Sequence, residues 1–414
     1  MIGATPIIHA LSGGPLRLVS ASALSGGLAL IRASTALAAG TDGATMLSYA
    51  TNAPRFQGAA QRLVIEGART NAIRNPRLEG ATVGGTGAGA MWTYFGNLTN
   101  GLGTVACVGQ GTSKGLPYVD VRFQGTPSGS SLAFTYDSGN SLSISAGTVF
   151  THSIWLAIVG GSLANIISIN NRNVTTGGAG TVSVDVSGQL TGTLQRFSNT
   201  VTAGNSATST QQYYSMGVTT GGPVDITLRF ACPQLELGGL ASTPVLPAAG
   251  TPASSTRTAD VPVFSLNATR AAAGTLVGTF MLPAVSTAAA DVQGLLVLDD
   301  GTDANRFGLR KPGGAATLQP FRSVSGTLTS GSSIQTLAPG VAIRAALAWD
   351  TSGIVACCNG GTVVSLAGAI PAVSRLLIGH GASTLGQGAF GEVGPLDLHP
   401  TRLPDAILQA LTLN

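Results

Sequence analysis

A chain of 414 residues with 44% hydrophobic content holds enough apolar material for two or three packed cores, which excludes a disordered chain. Only 9% of its residues are charged, against roughly a quarter in ordinary soluble domains, so its polar surface must come from Ser, Thr, Asn, Gln and backbone. The net charge of +4 is spread over single arginines, with Lys114 and Lys311 the only lysines. That pattern excludes the clustered phosphate-binding stripe of a nucleic-acid protein.

From the N-terminus, residues 18–40 carry an Ala36-Leu37-Ala38 pattern of the kind cut by signal peptidases. The apolar run before it stops at Arg32 and no basic cluster opens the chain, so the segment reads as mature protein. No uncharged apolar run reaches the ~18 residues of a spanning helix, and no membrane insertion is expected. A boundary falls at residues 71–76, before a Gly-rich stretch at 80–89.

Beyond it the dominant pattern is short apolar alternation bounded by Gly, Asn, Asp, Ser and Pro, which predicts antiparallel β-sandwiches. Val182, Val184 and Val186 share one face of a strand, and Ile226, Leu228, Phe230 and Cys232 share one face of another. A Pro-, Ser- and Thr-rich interruption around residues 244–260 predicts a linker. Further on, Trp349 ends a strand, a turn leads to a second strand through Cys358, and Asn359-Gly360 suits a type I′ turn. Pro404 followed by Ile407, Leu408 and Leu411 predicts one short terminal helix.

Candidate chemistry is sparse. Cys107, Cys232, Cys357 and Cys358 lack disulfide-scaffold or zinc spacing and read as buried apolar residues, with Cys357 and Cys358 pointing to opposite faces. Gly111-Thr112-Ser113-Lys114-Gly115 fits the nucleophile-elbow expression, but a strand follows where that motif needs a helix. His9, His152, His380 and His399 are scattered without metal-ligand spacing. The 17 acidic residues mostly stand alone beside turns, whereas glycan hydrolysis needs a carboxylate pair held across the bond. Asp299, Asp300, Asp303 and Asn305 offer the oxygen ligands that Ca²⁺ takes, without EF-hand spacing; the alternative is a polar hairpin turn. Aromatic rings that can stack on a sugar are Trp92 and Tyr94, in Gly-rich surroundings, and one of Tyr213 and Tyr214, which an extended strand turns to opposite faces. Trp155 and Trp349 lie in apolar strands and read as core.

Several segments carry a resemblance. Ile31-Arg32-Ala33-Ser34-Thr35, Ala53-Pro54-Arg55-Phe56 and the run from Leu63 through Glu66, Gly67 and Arg69 to Asn71 resemble the opening of modular tailed-bacteriophage tail-fibre, head-fibre and spike proteins. Arg74-Asn75-Pro76-Arg77 with Glu79, Gly80 and Trp92 resembles the start of a carbohydrate-binding-module-like jelly roll. Its end is similar to Pro233-Gln234-Leu235-Glu236-Leu237-Gly238, Ala241-Ser242-Thr243-Pro244, Thr256-Arg257 and Ala259-Asp260. The C-terminal third, through residues 274–280, 299–306, Trp349, Asn359-Gly360, 377–379 and 400–412, is similar to a concanavalin A-like or laminin G-like domain.

The expected organisation is all-β: an N-terminal virion-attachment segment at 1–72, a jelly-roll sandwich at 73–246, a linker at 247–262 and a second sandwich at 263–414. The resemblance implies a virion structural protein, made in the host cytoplasm and located on tail, baseplate or capsid. It also implies a homotrimer among other virion proteins, with residues 1–70 contributing most to attachment and host-surface polysaccharide as the ligand. No enzymatic activity and no cofactor other than Ca²⁺ is expected. The rival readings are a purely architectural decoration or adaptor without a ligand, and a glycan depolymerase.

Overall fold

The computed structural model describes residues 14–85, 93–94, 102, 104–137, 142–177 and 182–413. The protein is all-β, with antiparallel sheets and, among the described residues, two short α-helices. It divides into two compact units, one made of residues 33–51 and 68–258, the other of residues up to 32, 52–67 and 259 onward. The described part of the expected attachment segment 1–72 is therefore shared between the units and does not form a third.

The 68–258 unit holds two main sheets. One runs in the order Thr104–Ser113, Leu116–Gly125, Val224–Leu237, Val149–Gly161, Gln195–Thr202; the other runs Val182–Asp185, Ile166–Thr176, Ser209–Val218, Ser131–Thr135, Thr93–Tyr94, with Leu142–Ser143 also paired to Ser209–Val218. Alternate residues of both sheets fill one core, including Phe123, Phe134, Tyr214 and Phe230. The Tyr214 ring stacks on Phe134 at 4.9 Å and meets Phe230 edge-on at 5.1 Å. Pro233 sits inside a central strand, where proline normally breaks the ladder. The chain accommodates it with Cys232 at φ 44° and a register shift opposite Ser153 and Trp155, a bulge by position.

The outer face of the first sheet is also covered. Leu116, Trp155, Ala157 and Ala231 pack there with Leu37, Met46 and Leu246, the first two carried by a ribbon of Ala36–Ala39 and Met46–Tyr49. The G-x-S-x-G match is the hairpin turn between Thr104–Ser113 and Leu116–Gly125, with Lys114 and Gly115 both at positive φ. A Cβ at residue 115 would lie 2.0 Å from the Met46 carbonyl oxygen, so the ribbon's approach requires glycine here.

His152 occupies the core of this unit fully buried, its Nδ1 3.2 Å from Asn171 Oδ1. Burial holds its pKa down at about 4, and the contact with Asn171 offsets only part of that. Because the unfolded chain takes up this proton near pH 6.5 and the folded chain near 4, folding stability is constant above about 6.5 and falls as pH drops toward 4. The expected loss is on the order of 3 kcal/mol. Urea unfolding at pH 7.5 and pH 4.5 checks it: His152→Gln should shrink the difference to the share carried by His380 and His399, which burial also depresses, and an unchanged difference in that variant would assign it to other groups.

The other unit also pairs two sheets. The first runs Ala23–Leu24, Leu16–Ser20, Gly391–His399, Gly274–Met281, Ala342–Asp350, Gly353–Cys358, Val364–Ala367, with Arg62–Ile65 on Gly391–His399 and Phe56–Gln57 beside it. The second runs Thr327–Ser330, Thr317–Val324, Arg306–Lys311, Gln293–Asp299, Arg375–Ile378, Val261–Ser265, Ala29–Ile31, with Gln335–Thr336 also on Thr317–Val324. Trp349, Phe280 and Phe307 lie in the core between them. The terminal helix Asp405–Thr412 buries Leu408 against the outer side of the first sheet, over Val277, Ala346 and Cys357. Cys358 belongs to the inner core, so the adjacent thiols do face opposite ways. The second helix, Ala268–Ala272, is capped by the Asn267 side chain accepting from the Arg270 N–H.

The motif residues near the N-terminus meet in this unit around one carboxylate. Asp260, fully buried, accepts from Arg32 Nη1 at 2.8 Å, from Arg55, and from the Glu66 N–H at 3.0 Å. Arg55 also pairs with Glu66 at 2.9 Å. Burial works against the Arg55 charge, and the Glu66 and Asp260 carboxylates more than offset it, holding the guanidinium above its ordinary pKa. The Asp260 carbonyl accepts from His380 Nε2 at 2.6 Å. The Arg32, Arg55, Glu66 and Asp260 side chains thus tie three early segments to the start of the C-terminal sandwich.

Candidate glycan-contact face

Of the expected sugar-stacking residues, only the Tyr213 and Tyr214 side chains are described, and both are buried. Trp92 lies outside the described residues, and Tyr94 is placed by its backbone alone, directly opposite Phe134. Tyr213 and Tyr214 do turn to opposite faces, but Tyr214 is fully buried in the core and Tyr213 is only 7% exposed. Tyr214 is therefore corrected from a surface candidate to a packing residue. Burial raises the Tyr213 phenol above its ordinary pKa, with the Arg172 charge opposing that.

The Asp299 cluster is likewise dispersed by its partners. Asp299 is fully buried and accepts from Arg375 Nε at 2.6 Å and from the Gly301 N–H at 2.8 Å. Asp300 accepts from Thr302 and from Asn305 Nδ2. Asp303 accepts from Arg306 and Ser383. These groups close the hairpin between Gln293–Asp299 and Arg306–Lys311. Among the described residues no group of three or more His, Cys, Asp or Glu side chains is gathered to hold a metal ion, so the Ca²⁺ expectation gives way to the polar-turn reading.

What the fold does present is a polar row on the outer face of the second sheet of the 68–258 unit. Strand alternation buries Ile169, Asn171, Asn173 and Thr175 and turns Asn170, Arg172 and Val174 outward. Cross-strand register places Arg172 between Ser183 and Tyr213, and Asn170 between Asp185 and Ser215. Val174 stands opposite Gln211. The row grades from covered to open: Tyr213 and Ser215 are buried, Asn170, Arg172 and Gln211 are half-buried, and Ser183 and Asp185 are exposed.

Arg172 is the distinctive member. Its Nε is shielded from solvent and finds no hydrogen-bond partner among the described residues, and no described carboxylate pairs with it. All Asp and Glu residues of the chain lie within the described residues. Most of them are committed elsewhere, for example Asp137 to Arg74, Asp120 to Arg229 and Asp225 to Arg122. A half-buried guanidinium without a counter-charge, flanked by amides and hydroxyls, can donate forked hydrogen bonds to a ligand's oxygens. Nothing in the local sequence marks Arg172 except that it interrupts an Asn-rich strand.

No protein-family model matches the chain, and no curated protein matches it. Among solved structures it is similar to the tripod from the baseplate of bacteriophage Tuc2009, at 16% identity and a TM-score of 0.30, with 84% of this chain and 100% of that chain covered. It is similar to the CBM40 of Ruminococcus gnavus IT-sialidase bound to α2,6 sialyllactose, at 20% identity and a TM-score of 0.28, covering 35% of this chain and 85% of that one. It is also similar to domains LG4-5 of the mouse laminin α1 chain, at 12% identity and a TM-score of 0.25, covering 63% and 89%.

Proposed function

We propose that this chain is a structural subunit of a tailed-bacteriophage particle, carried as a homotrimer among other virion proteins on the tail, baseplate or capsid surface. Its 68–258 unit contacts host-surface polysaccharide without cleaving it. The observation that carries the contact is the unpaired Arg172 guanidinium in the open polar row with Asn170, Gln211 and Ser183. The particle assignment is supported by the resemblance of the motifs around Arg32, Arg55, Glu66 and Asp260 to phage fibre and spike proteins. Non-cleavage is supported by the carboxylates, most of which pair with arginines among the described residues, whereas hydrolysis would need a pair held across the glycosidic bond.

Binding of the full chain to extracted host polysaccharide tests the reading. A charge-assisted hydrogen bond contributes about 1.5 to 3 kcal/mol, so Arg172→Ala should weaken binding at least about tenfold with an unchanged melting temperature. Arg122→Ala, which removes an exposed pair with Asp225, should bind like the unaltered chain. Shortened polymer after incubation would make the protein a depolymerase. Absent binding by the unaltered chain would favour an architectural role.

A further inference from the structure

We infer that the C-terminal sandwich holds a site for a carboxylate group, of the kind a uronic-acid sugar carries, with the Arg310 guanidinium at its centre. The strand Arg306–Lys311 sends Phe307 and Leu309 into the core, so alternation turns Arg306, Gly308 and Arg310 to the outer face of the second sheet. Phe321 stands across from Gly308 on the neighbouring strand and packs on that face with Val297 and Leu377. Both guanidinium groups close on its ring, Arg310 at 4.7 Å and Arg306 at 5.7 Å from the centroid.

The two charges differ in their surroundings. Arg306 is answered by Asp303 at 2.8 Å and also donates to the Gly381 carbonyl at 2.6 Å. Arg310 is only 7% exposed, yet no described carboxylate pairs with it. Among the described residues its hydrogen bonding is limited to Nη2 donating to the Ser330 hydroxyl at 3.1 Å. Its Nε is shielded from solvent without an acceptor, whereas Nη1 lacks a described acceptor and is not shielded. Burial, together with the Arg306 charge, holds this guanidinium below its ordinary pKa. The face of the Phe321 ring offsets part of that cost, and one positive charge remains without a counter-charge. A single excess charge matches a carboxylate; a phosphate monoester carries about −1.5 to −2.

Neighbouring donors complete the fit. Ser330 accepts from Arg310, which leaves its own O–H free to donate, and it is exposed on the edge strand Thr327–Ser330. Gln319, directly across from Arg310, is half-buried and brings an amide that can donate to a second oxygen. Guanidinium, hydroxyl and amide donors beside an apolar ring are what a carboxylate on a sugar ring takes. This face belongs to a different unit from Arg172, and the glycan face makes no use of it.

Glucuronate is the probe, titrated by calorimetry into the full chain carrying Arg172→Ala, with chloride holding the ionic strength constant and glucose as the neutral control. The expected result is one saturable site for glucuronate and none for glucose. Adding Arg310→Met should weaken binding at least about tenfold. In chloride alone, the chain with Arg310→Met should melt at or above the temperature of its parent, because the substitution withdraws an unpaired charge and keeps the volume apolar. Absent saturable binding, equal binding after Arg310→Met, or a lowered melting temperature in that variant, which would make the arginine a structural one, would overturn the inference. Tighter binding of an amide-capped N-acetylglutamate than of glucuronate would assign the carboxylate to a protein and overturn the sugar as its source. With Arg172 already replaced, the polysaccharide reading can fail without affecting this outcome, and the reverse also holds.

Discussion

Asp260→Ala is expected to lower the unfolding free energy by roughly 3 to 5 kcal/mol, the cost of breaking a buried ion pair by removing one partner. Arg32 and Arg55 are both fully buried and both donate to this one carboxylate. Arg55 would keep Glu66 at 2.9 Å, and Arg32 would lose this carboxylate. The Glu66 N–H would also lose its acceptor. Asp260→Ala combined with Arg32→Met should recover part of the stability, because it removes a buried charge that has lost this carboxylate and keeps the volume apolar. Denaturant unfolding of the three proteins checks this; a single-variant loss below about 1 kcal/mol would contradict a structural role for the cluster.

Trp349→Ala should cost about 3 to 5 kcal/mol. The indole is fully buried, its ring 5.8 Å from that of Phe307, and its Nε1 donates to the Arg270 carbonyl at 3.0 Å. Truncation would open a cavity in a close-packed core and strip that carbonyl of its donor. The packing is tight on the facing strand as well: a Cβ at residue 274 would lie 2.5 Å from the indole, so Gly274→Ala should also destabilise. Thermal unfolding measures both, and a melting temperature for Trp349→Ala within about 2 °C of the unaltered chain would place the indole outside the core's main contacts.

Much of the fold was legible because strand alternation has period two. The Val182 and Ile226 faces, the Trp349 strand and the terminal helix follow from side-chain order alone. The short early strands were not legible, because Leu16–Ser20 and Arg62–Ile65 find their partner near residue 395 and carry too few residues to show a pattern. Alternation placed Tyr213 and Tyr214 on opposite faces but could not say that both side chains are buried. The Asp299 group misled because aspartates in a short turn also cap nearby backbone and pair with arginines brought in from Arg375, far along the chain. The buried ion cluster could be seen in sequence only as separate resembling motifs, since nothing local connects Arg32 to Asp260. Arg172 escaped notice because a single arginine in a strand is ordinary until its missing partner is seen.

The most direct test is the structure of the full chain bound to an oligosaccharide released from the host surface. Sugar lying on the outer face of the Ile166–Thr176 and Ser209–Val218 strands, with an oxygen within hydrogen-bond distance of the Arg172 guanidinium, is the predicted result. An oligosaccharide bound on another surface, with Arg172 untouched, would contradict it.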